Sequence, residues 1–310
     1  MILCCGEALV DFVPLGGGIP GYRPVPGGSS YNTAVALARL GVPAGFFSKI
    51  STDFFGDLLV EYLNTNGVDT GKVLRSGQPT TLAFVSLPEG KGAEPQFAIY
   101  ANGAADRSLL KDELPIDLPA DAKHLHFGSI SLVLEPGASA LEALMKRESG
   151  QRTLSLDPNI RPALIQDREA YRHRFESWLE MMDIVRLSLA DLGWLYPGED
   201  AEGLVLSWLK RGPSLCVLTL GSQGAIGVSA GGAEARVLAP ETRVVDTVGA
   251  GDTFAAAVLA YLFDMDSLGS PSMIAELSGD KLRECLEFAA RAAAINCTRP
   301  GADPPFRSEL

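Results

Sequence analysis

Short apolar runs alternate with longer amphipathic segments along most of the chain. Strand-like runs lie at 2–9, 45–51, 153–157, 183–188 and 214–220, and helical spacing appears at 57–66, 169–182 and 282–297. This alternation predicts an α/β fold with a mostly parallel central sheet and helices on both faces. Two further apolar runs, 225–230 and 234–239, follow each other directly and predict a late antiparallel portion of the sheet.

A second group of strands is predicted apart from the main sheet. Alternating apolar residues at 80–87 and 96–100 indicate two strands joined by a polar loop at 88–95. Apolar pieces around Phe12 and Val25 could pair with them in a small sheet. A plain hairpin at the edge of the main sheet would give the same alternation, so the pattern alone leaves both open.

Composition bounds the class of protein. The 310 residues are 46% hydrophobic, and no low-complexity linker divides them, so we expect a single domain spanning 1–310. None of the five cysteines forms a Cys-x-x-Cys pair, which is typical of buried thiols in a reducing compartment. The start of the chain carries Glu7 and Asp11 without a basic leader, and no apolar run is long enough to span a bilayer. A cytoplasmic protein with no membrane segment is expected.

The formal net charge of −12 disfavours two kinds of partner. Nucleic acids and anionic membranes are bound through clustered Lys and Arg, which an acidic chain supplies poorly. An anionic substrate would need locally placed basic groups.

The strongest chemical signal is a glycine-rich turn that runs into an apolar helix, Asp246-Thr247-Val248-Gly249-Ala250-Gly251-Asp252 followed by 253–263. Glycine lets successive amides approach one point, and the positive end of the helix dipole faces the same point, so the turn can hold an anion. Asp252 at the helix entrance suits a general base that takes a proton from an alcohol during phosphoryl transfer. An acid-capped helix start without any function fits these residues equally well on their own.

A second glycine turn precedes another predicted helix, which stops at Gly41. Gly27 and Gly28 allow a polyol to lie against the backbone, and Asn32 offers a donor and an acceptor to hydroxyl groups. The alternative is an ordinary helix cap with Asn32 on the first turn.

Two other patterns suggest a ligand site at first sight, but neither is interpreted as one. Residues 16–21 match Gly-x-Gly-x-x-Gly, but prolines surround them and no helix follows, so a dinucleotide site is rejected. His124 and His126 share a strand face without a third nearby ligand, which favours a structural role over a metal pair. No Walker sequence occurs in the chain.

The stretch from Asp246 to Val258 resembles, position by position, the C-terminal signature of the ribokinase-like (PfkB) sugar kinases. The Gly27–Gly28 pair, Asn32 and Gly41 fall where the N-terminal signature places them, although Ser51 replaces its final glycine and Tyr31 a smaller residue. The resemblance covers nearly the entire chain. It implies that Asp252 is the catalytic base and that the backbone of Gly249, Ala250 and Gly251 forms the anion hole.

The resemblance also implies a set of sugar-side residues. Tyr100-Ala101-Asn102-Gly103-Ala104-Ala105-Asp106 is similar to a segment of the fructokinase branch, so Phe97 and Tyr100 would flank the sugar, although lone aromatics on a strand are more often core. Asp157-Pro158-Asn159-Ile160-Arg161 resembles the fructokinase-like form of a strand-end motif facing the phosphates, for which an ordinary turn is the alternative. The implied substrate-binding set is Asp11, Gly27, Gly28, Asn32, Phe97, Tyr100, Asn159 and Arg161.

Nucleotide and metal positions follow from the same resemblance. Ser188 and Asp191 stand where the family has Asn-x-x-Glu, which orders Mg²⁺ through water. Thr219, Gly221 and Gly224 look like the turn on the ATP side, and the late helix with Asn296 would line the adenine pocket. Asp246 would belong to a monovalent cation loop that could hold K⁺.

The combined interpretation is an ATP-dependent sugar kinase that phosphorylates a primary hydroxyl, most like a fructokinase acting on fructose. 2-Keto-3-deoxygluconate kinase, ribokinase and a non-catalytic sugar-binding homologue are the alternatives, and a dinucleotide oxidoreductase is a weaker one. Segments near 12–26 and 80–101 would form a lid that excludes water, and a homodimer through this lid is a further expectation.

Overall fold

The computed structural model describes residues 1–15, 20–86 and 96–310, in which fourteen strands and nine α-helices are found. The strands are β1 (Ile2–Cys5), β2 (Leu9–Pro14), β3 (Tyr22–Gly27), β4 (Ala44–Phe47), β5 (Lys49–Ser51), β6 (Leu74–Ser76), β7 (Thr81–Ser86), β8 (Gln96–Tyr100), β9 (His124–Gly128), β10 (Thr153–Asp157), β11 (Ile184–Ser188), β12 (Leu215–Thr219), β13 (Ala225–Ser229) and β14 (Glu234–Val237). The helices are α1 (Ser29–Arg39), α2 (Phe54–Thr65), α3 (Gly137–Glu148), α4 (Arg168–Leu179), α5 (Leu189–Leu195), α6 (Ala201–Trp208), α7 (Ala250–Asp264), α8 (Pro271–Ala275) and α9 (Gly279–Cys297).

The main sheet has eight strands in the order β14-β13-β12-β11-β10-β9-β1-β4. The six strands from β12 to β4 pair in parallel, and β13 and β14 complete the sheet in antiparallel pairing. The predicted α/β fold with a mostly parallel sheet and a late antiparallel portion is therefore confirmed.

Apolar layers cover both faces of this sheet. Alternating strand residues pack on one face against α1, α2, α7 and α9, and on the other against α3, α4, α5 and α6. Strands buried on both faces read as nearly continuous apolar runs, which is why the sequence indicated them. The two buried faces hold the carboxyl ends of β10 and β11 and the start of α7 in fixed relative positions.

A separate four-stranded sheet, called the small sheet below, has the order β3-β2-β7-β8. β2 pairs in parallel with β7, and the other two pairings are antiparallel. The predicted pairing of the segments around Phe12 and Val25 with the two later strands is confirmed, and the plain edge hairpin is excluded. A third sheet contains only β5 and β6.

Two predicted strands are each divided into two. The apolar run 2–9 leaves the main sheet after Cys5 and enters the small sheet at Leu9. The break falls at Gly6, where a Cβ would lie 2.3 Å from Ser30 Oγ, so the backbone turns against α1 there. Similarly, the run 45–51 forms β4 and then β5, which pair with different sheets. A continuous apolar pattern does not reveal such a change of partner.

Two sequence features lie outside the described residues, wholly or in part: positions 16–19 of the glycine run 16–21, and the entire polar loop 88–95 together with Leu87. In the part of the chain that the structure describes, no helix is both long enough and apolar enough to cross a membrane.

Candidate active site

A cleft of about 1010 Å³ opens between the small sheet and the carboxyl ends of the main strands. Ligands of open α/β sheets bind at this edge, because the loops that follow the strands converge there. Ten of the residues singled out from the sequence line it: Asp11, Gly28, Asn32, Asn159, Arg161, Ser188, Asp191, Gly249, Gly251 and Asp252. The cleft therefore brings residues from both predicted signatures together.

The glycine turn before α7 has the strained geometry that the sequence indicated. Gly249 has φ +74°, and a Cβ on it would lie 2.5 Å from the Cβ of Ala302. A Cβ on Gly251 would lie 2.9 Å from Nη1 of Arg186. Both positions thus exclude a side chain, the first by backbone conformation and contact and the second by a neighbouring guanidinium.

Asp252 lies in the first turn of α7 and is almost entirely buried. Ser29 Oγ and Asn159 Nδ2 donate to its Oδ1 at 2.6 and 3.2 Å, and Asn32 Nδ2 donates to its Oδ2 at 2.9 Å. Burial raises the pKa of Asp252, while the hydrogen bonds from Ser29 and Asn32 and the nearby cations oppose this rise. A carboxyl with a raised pKa in a cleft is suited to accept a proton.

The amides of the turn differ in availability. Ala250 N donates to Thr247 O at 3.2 Å, whereas no hydrogen-bond acceptor among the described residues is recorded for the amides of Gly251 and Asp252. First-turn amides of a helix that lack an acceptor form a natural anion site. The amides best placed for the predicted anion hole are consequently those of Gly251 and Asp252, and Ala250 itself does not line the cleft.

A buried ion pair packs against the glycine turn that precedes α7. Arg186 Nη1 lies 2.7 Å from Asp157 Oδ2, and its Nη2 donates to Thr219 Oγ1 at 2.7 Å. Arg186 and Asp157 are 8% and 1% exposed. Burial raises the pKa of Asp157 to about 6, and the Arg186 charge opposes that rise. The pair holds a positive charge directly under Gly251.

Asp11 faces the cleft from the small sheet. The absence of a side chain on Gly27 makes room for it, since a Cβ there would lie 2.3 Å from Asp11 Oδ2. Gly27 therefore supports the site without lining it. Burial raises the pKa of Asp11 to about 7, with Arg161 opposing the rise.

Asn159 and Arg161 form one unit at the end of β10. Arg161 Nη1 donates to Asn159 Oδ1 at 2.7 Å, which orients the Asn159 amide so that it donates to Ser29 and Asp252. Asn159 has φ +37°, a left-handed backbone conformation that Asn tolerates. The strand-end motif is thus part of the cleft wall instead of an ordinary turn.

Ser188 and Asp191 form a capping box at the start of α5. Asp191 Oδ2 accepts from the Ser188 amide and hydroxyl, and its Oδ1 accepts from Ile160 N at 2.8 Å. Both carboxylate oxygens are thus held by protein donors, and no cluster of three metal-binding side chains is found in the ranges that the structure describes. This arrangement fits Mg²⁺ held through water and substrate phosphates better than direct ligation, because Mg²⁺ retains several waters in such sites.

Three of the four residues predicted to contact nucleotide have other surroundings. Asn296 is fully buried, where it accepts from Thr253 Oγ1 and donates to Val248 O at 2.8 Å, and Thr219 is bonded to Arg186. Gly224 is required by the backbone, since a Cβ would lie 1.9 Å from Val237 O. Each of the three supports elements near the cleft without lining it, and their predicted nucleotide roles stay predictions.

Gly221 and Asp246 also lie off the cleft lining. Gly221 is exposed, with φ +60° and open space where a Cβ would stand. Asp246 accepts from Val248 N at 3.0 Å and from Gly301 N at 2.8 Å, so it ties the glycine turn to the segment after α9. Their predicted nucleotide and cation roles stay predictions.

One of the two aromatic residues predicted to flank the sugar lies on the outer face of the small sheet. Leu9, Asp11, Ala83 and Ile99 line the cleft from the small sheet, and Tyr100 follows Ile99 on the opposite face. Tyr100 is 66% exposed and packs edge-on against Phe84, away from the cleft. Phe97 pairs with Val85 in β8, and its side chain is outside the described part of the structure.

His124 and His126 have the structural role that was favoured. Both are buried between strands, bonded to hydroxyls of Thr153 and Ser155. Burial lowers the pKa of His124 to about 3 and that of His126 to about 4, so both are neutral near pH 7.

Three functional candidates escaped the sequence assignment. They are Arg186, Glu7 and Ser29, none of which was assigned a role from the sequence. Arg186 lies opposite Asp157 on the neighbouring strand, and Glu7 and Ser29 meet across a chain separation of 22 residues. An arginine inside an otherwise apolar strand was the available signal for the first of them.

The chain was compared with known proteins. The family model described as pfkB family carbohydrate kinase matches residues 1–309. A fructokinase from Rhizobium leguminosarum bv. trifolii is 42% identical over 287 residues, which cover 91% of this chain and 86% of that protein.

Solved structures agree with this match. A fructokinase from Xylella fastidiosa with bound ATP superposes with a TM-score of 0.87 at 28% identity, covering 97% of this chain and 93% of the other. A double-mutant fructokinase from Vibrio cholerae O395 in its fructose-, ADP- and potassium-bound form gives 0.82 at 25% identity, with the same coverage of 97% and 93%. The fold is ribokinase-like, and the chain belongs to the pfkB family of carbohydrate kinases.

Proposed function

We propose that the protein is an ATP-dependent fructokinase that converts fructose to fructose 6-phosphate. The observation that carries the proposal is the position of Asp252. Its carboxylate lies in the cleft beside the free amides of the glycine turn and is bonded to Asn32 and Asn159 on the predicted sugar side. The proposed base and the proposed anion site therefore lie side by side in one cleft. The relative at 42% identity and the two superposed structures are themselves named fructokinases.

The geometry supports a direct displacement at phosphorus. Asp252 takes the proton of the primary hydroxyl as the sugar oxygen attacks the terminal phosphorus of ATP, the bond to the bridging oxygen breaks, and ADP leaves. The amides of Gly251 and Asp252 and the positive end of α7 stabilise the negative charge of the transferring group. Arg186 and Arg161 add positive charge around the same point.

Charge favours a neutral sugar over a sugar acid. The sugar side of the cleft is lined by three carboxyl groups, those of Glu7, Asp11 and Asp252, against the single guanidinium of Arg161. A ligand carboxylate placed there would meet like charges, which raises the cost of binding 2-keto-3-deoxygluconate. Fructose brings hydroxyl groups, which carboxylates and amides can bind.

Two ions complete the proposal. Mg²⁺ would neutralise charge on the ATP phosphates, with Ser188 and Asp191 reaching it through water. K⁺ would lie near the loop that Asp246 ties together, where backbone carbonyls are the expected ligands. The capping box of Ser188 and Asp191 fits the first of these ions, because its carboxylate can reach Mg²⁺ only through water.

A substrate panel tests the proposed function. ADP formation is measured with ATP and Mg²⁺ and each of fructose, ribose, 2-keto-3-deoxygluconate, adenosine and no sugar. We expect the highest kcat/KM for fructose, and a clear preference for any other acceptor would contradict the assignment.

A pH-dependent KM is expected from Asp11. Because burial raises the pKa of Asp11 to about 7, its carboxyl is protonated below that pH and then accepts hydrogen bonds from sugar hydroxyls less well. The fructose KM should therefore rise as the pH falls from 8 to 6. In Asp11→Asn we expect a KM raised about 10- to 100-fold, the worth of a hydrogen bond to a charged group, with that pH dependence lost. Asp57→Asn, which removes an exposed carboxylate of α2, is the matched control and should leave the KM unchanged.

We further propose that the molecule is a single domain, 1–310, whose small sheet acts as a lid over the sugar. Its inner residues already line the cleft, and closure would exclude water that competes for the phosphoryl group. The proposed lid comprises β2, β3, β7 and β8, in agreement with the segments predicted near 12–26 and 80–101.

The outer face of the small sheet is proposed as a homodimer interface. Phe12, Tyr22, Phe84 and Tyr100 pack together there beside Phe54 and Phe55, and Phe54 is 73% exposed. Exposed aromatic clusters of this kind mark association surfaces. Light scattering should give the mass of two chains, and Tyr100→Ser should shift it toward one. Leu206→Ser, an exposed apolar residue on α6, serves as the control, and a monomeric wild type would refute the interface.

A further inference from the structure

Two residues connect the turn between the two sheets to the proposed base. Glu7 lies between β1 and β2, and its Oε1 accepts from Ser29 N at 2.7 Å. Ser29 Oγ in turn donates to Asp252 Oδ1 at 2.6 Å. We propose that Glu7 and Ser29 are positioning residues that hold the carboxylate of Asp252 and set the pH range in which it can accept a proton. This inference rests on the proposed function, because it concerns the same base.

The chain segments that carry Glu7 and Ser29 are packed backbone to backbone. A Cβ on Gly28 would lie 2.6 Å from the carbonyl oxygen of Glu7, and a Cβ on Gly6 would lie 2.3 Å from Ser30 Oγ. Such contacts leave little room for either segment to shift alone. The distance from Glu7 to Ser29, and therefore to Asp252, is fixed by packing as well as by hydrogen bonds.

Glu7 also replaces a missing helix cap. The residue before α1 is Gly28, which has no side chain to accept from the first-turn amides. The Glu7 carboxyl accepts from the amide of Ser29, and an acid at this helix end is stabilised by the dipole. Since the first turn of α1 carries both Ser29 and Asn32, one carboxyl orients two of the three donors to Asp252.

The carboxyl groups of Glu7 and Asp252 interact electrostatically. Glu7 is 2% exposed, and its Oε2 is buried with no hydrogen-bond partner in the described ranges. Burial raises the pKa of Glu7 to about 7, Asp106 and Asp252 add to the rise, and the amides of Glu7 and Ser29 oppose it.

Other charged groups near Asp252 also influence its pKa, in addition to Glu7. The carboxyls of Asp11 and Asp157 add to the repulsion, and the guanidiniums of Arg161 and Arg186 oppose it. Glu7 and Asp252 both have a raised pKa, and the charge of Asp252 contributes to the rise at Glu7.

Two variants should move the pH profile of kcat in opposite directions. Glu7→Gln keeps an oxygen for the Ser29 amide but removes a negative charge near Asp252, so the pKa of Asp252 falls. The acid limb of the profile, in which kcat declines as the base becomes protonated, then moves to lower pH. Ser29→Ala removes a donor that lowers the pKa of Asp252, so the acid limb moves to higher pH. The second variant should also lower kcat about 10-fold, the worth of a hydrogen bond to a charged group.

Ser30→Ala is the matched control. The Ser30 hydroxyl is buried one residue further along α1 and donates to Cys5 O at 3.2 Å, without contacting Asp252. Its acid limb should coincide with that of the wild type, whereas a general loosening of α1 would move the profiles of Ser29→Ala and Ser30→Ala alike.

The experiment measures kcat for fructose and ATP from pH 5 to 9 in the wild type and the three variants, with folding checked by circular dichroism. Opposite shifts of Glu7→Gln and Ser29→Ala support the proposal. Unchanged limbs, or shifts in the same direction, overturn it while leaving the proposed function intact. The proposed function fails separately if the wild type phosphorylates no sugar. If Glu7→Gln does not fold, Ser29→Ala tests the proposal by itself, because it removes only one oxygen atom. Its acid limb should then move to higher pH than that of Ser30→Ala, and coinciding limbs would overturn the proposal.

Discussion

Asp252→Asn should lower kcat for fructose phosphorylation roughly 10²- to 10⁴-fold, the usual contribution of a positioned general base. The amide cannot take the proton of the attacking hydroxyl, but it keeps the size of the carboxyl and one oxygen that can accept from Ser29 and Asn159. The substitution removes a buried charge but also the acceptor of Asn32 Nδ2. These two contributions oppose each other, so the free energy of unfolding should change little. Steady-state kinetics and chemical denaturation measure the two effects.

Asp183→Asn is the control for the loss of a partly buried carboxyl with a raised pKa. Asp183 precedes β11 at the end of the sheet opposite the cleft, accepts from Leu154 N at 2.7 Å, and has a pKa raised to about 6 by burial. Its substitution should leave kcat unchanged. Near-normal turnover in Asp252→Asn would refute the assignment of the base.

Arg186→Met should destabilise the protein by about 3–5 kcal/mol near pH 8, the usual cost of breaking a buried ion pair. The loss leaves the Asp157 carboxylate, which is 1% exposed, without its cation. The glycine turn at Gly251 also loses the guanidinium that packs against it, so kcat should fall as well. Chemical denaturation at several pH values measures the change in the free energy of unfolding.

The cost should depend on pH in a defined direction. Asp157 has a pKa raised to about 6 with Arg186 present, and removing the guanidinium raises it further. In the variant, the native state then binds a proton at a pH where the unfolded state, with an ordinary carboxyl, does not. Lowering the pH toward 5 should therefore recover part of the stability lost at pH 8.

Two further variants separate the pair from a general effect of losing an arginine. Asp157→Asn combined with Arg186→Met removes both charges and should be more stable at pH 8 than Arg186→Met alone. Arg236→Met breaks an exposed ion pair with Glu202 and should cost about 0–1 kcal/mol. If Arg186→Met and Arg236→Met cost the same, the buried pair has no special role.

The sequence was most informative where local chemistry and tertiary structure coincide. The turn at Gly249 and Gly251 needs glycine for reasons that lie mainly within a few residues, namely a positive φ and a close approach. A strand followed by a glycine turn and a helix could therefore be recognised, together with the acid that opens the helix. The positions of most strands of the main sheet, and its mostly parallel character, followed from continuous apolar runs alternating with helical segments.

Side-chain direction was harder to predict. Tyr100 was expected beside the sugar, but side chains alternate along β8, and Ile99 occupies the inner position. One residue of register decides which side chain faces the cleft, and sequence alternation does not reveal which face is inward. Asn296 raises the same difficulty, because a polar residue in a helix can face a ligand or bond to buried neighbours, and it bonds to Thr253 and Val248.

Contacts between distant segments could not be predicted at all. The ion pair of Arg186 depends on the neighbouring strand, which brings Asp157 alongside it. The bond from Glu7 to Ser29 depends on the chain leaving the main sheet after Cys5, a break hidden inside one apolar run. In both cases the partner becomes visible only when the strand order is known.

The central claim is that one cleft joins the base, the anion-binding amides and the sugar. Nuclear magnetic resonance of the product formed from ¹³C-labelled fructose and ATP tests it most directly, because it identifies the oxygen that receives the phosphoryl group. The account predicts fructose 6-phosphate and ADP in equal amounts. Phosphate on another oxygen, or ADP released together with inorganic phosphate and unmodified fructose, would contradict it.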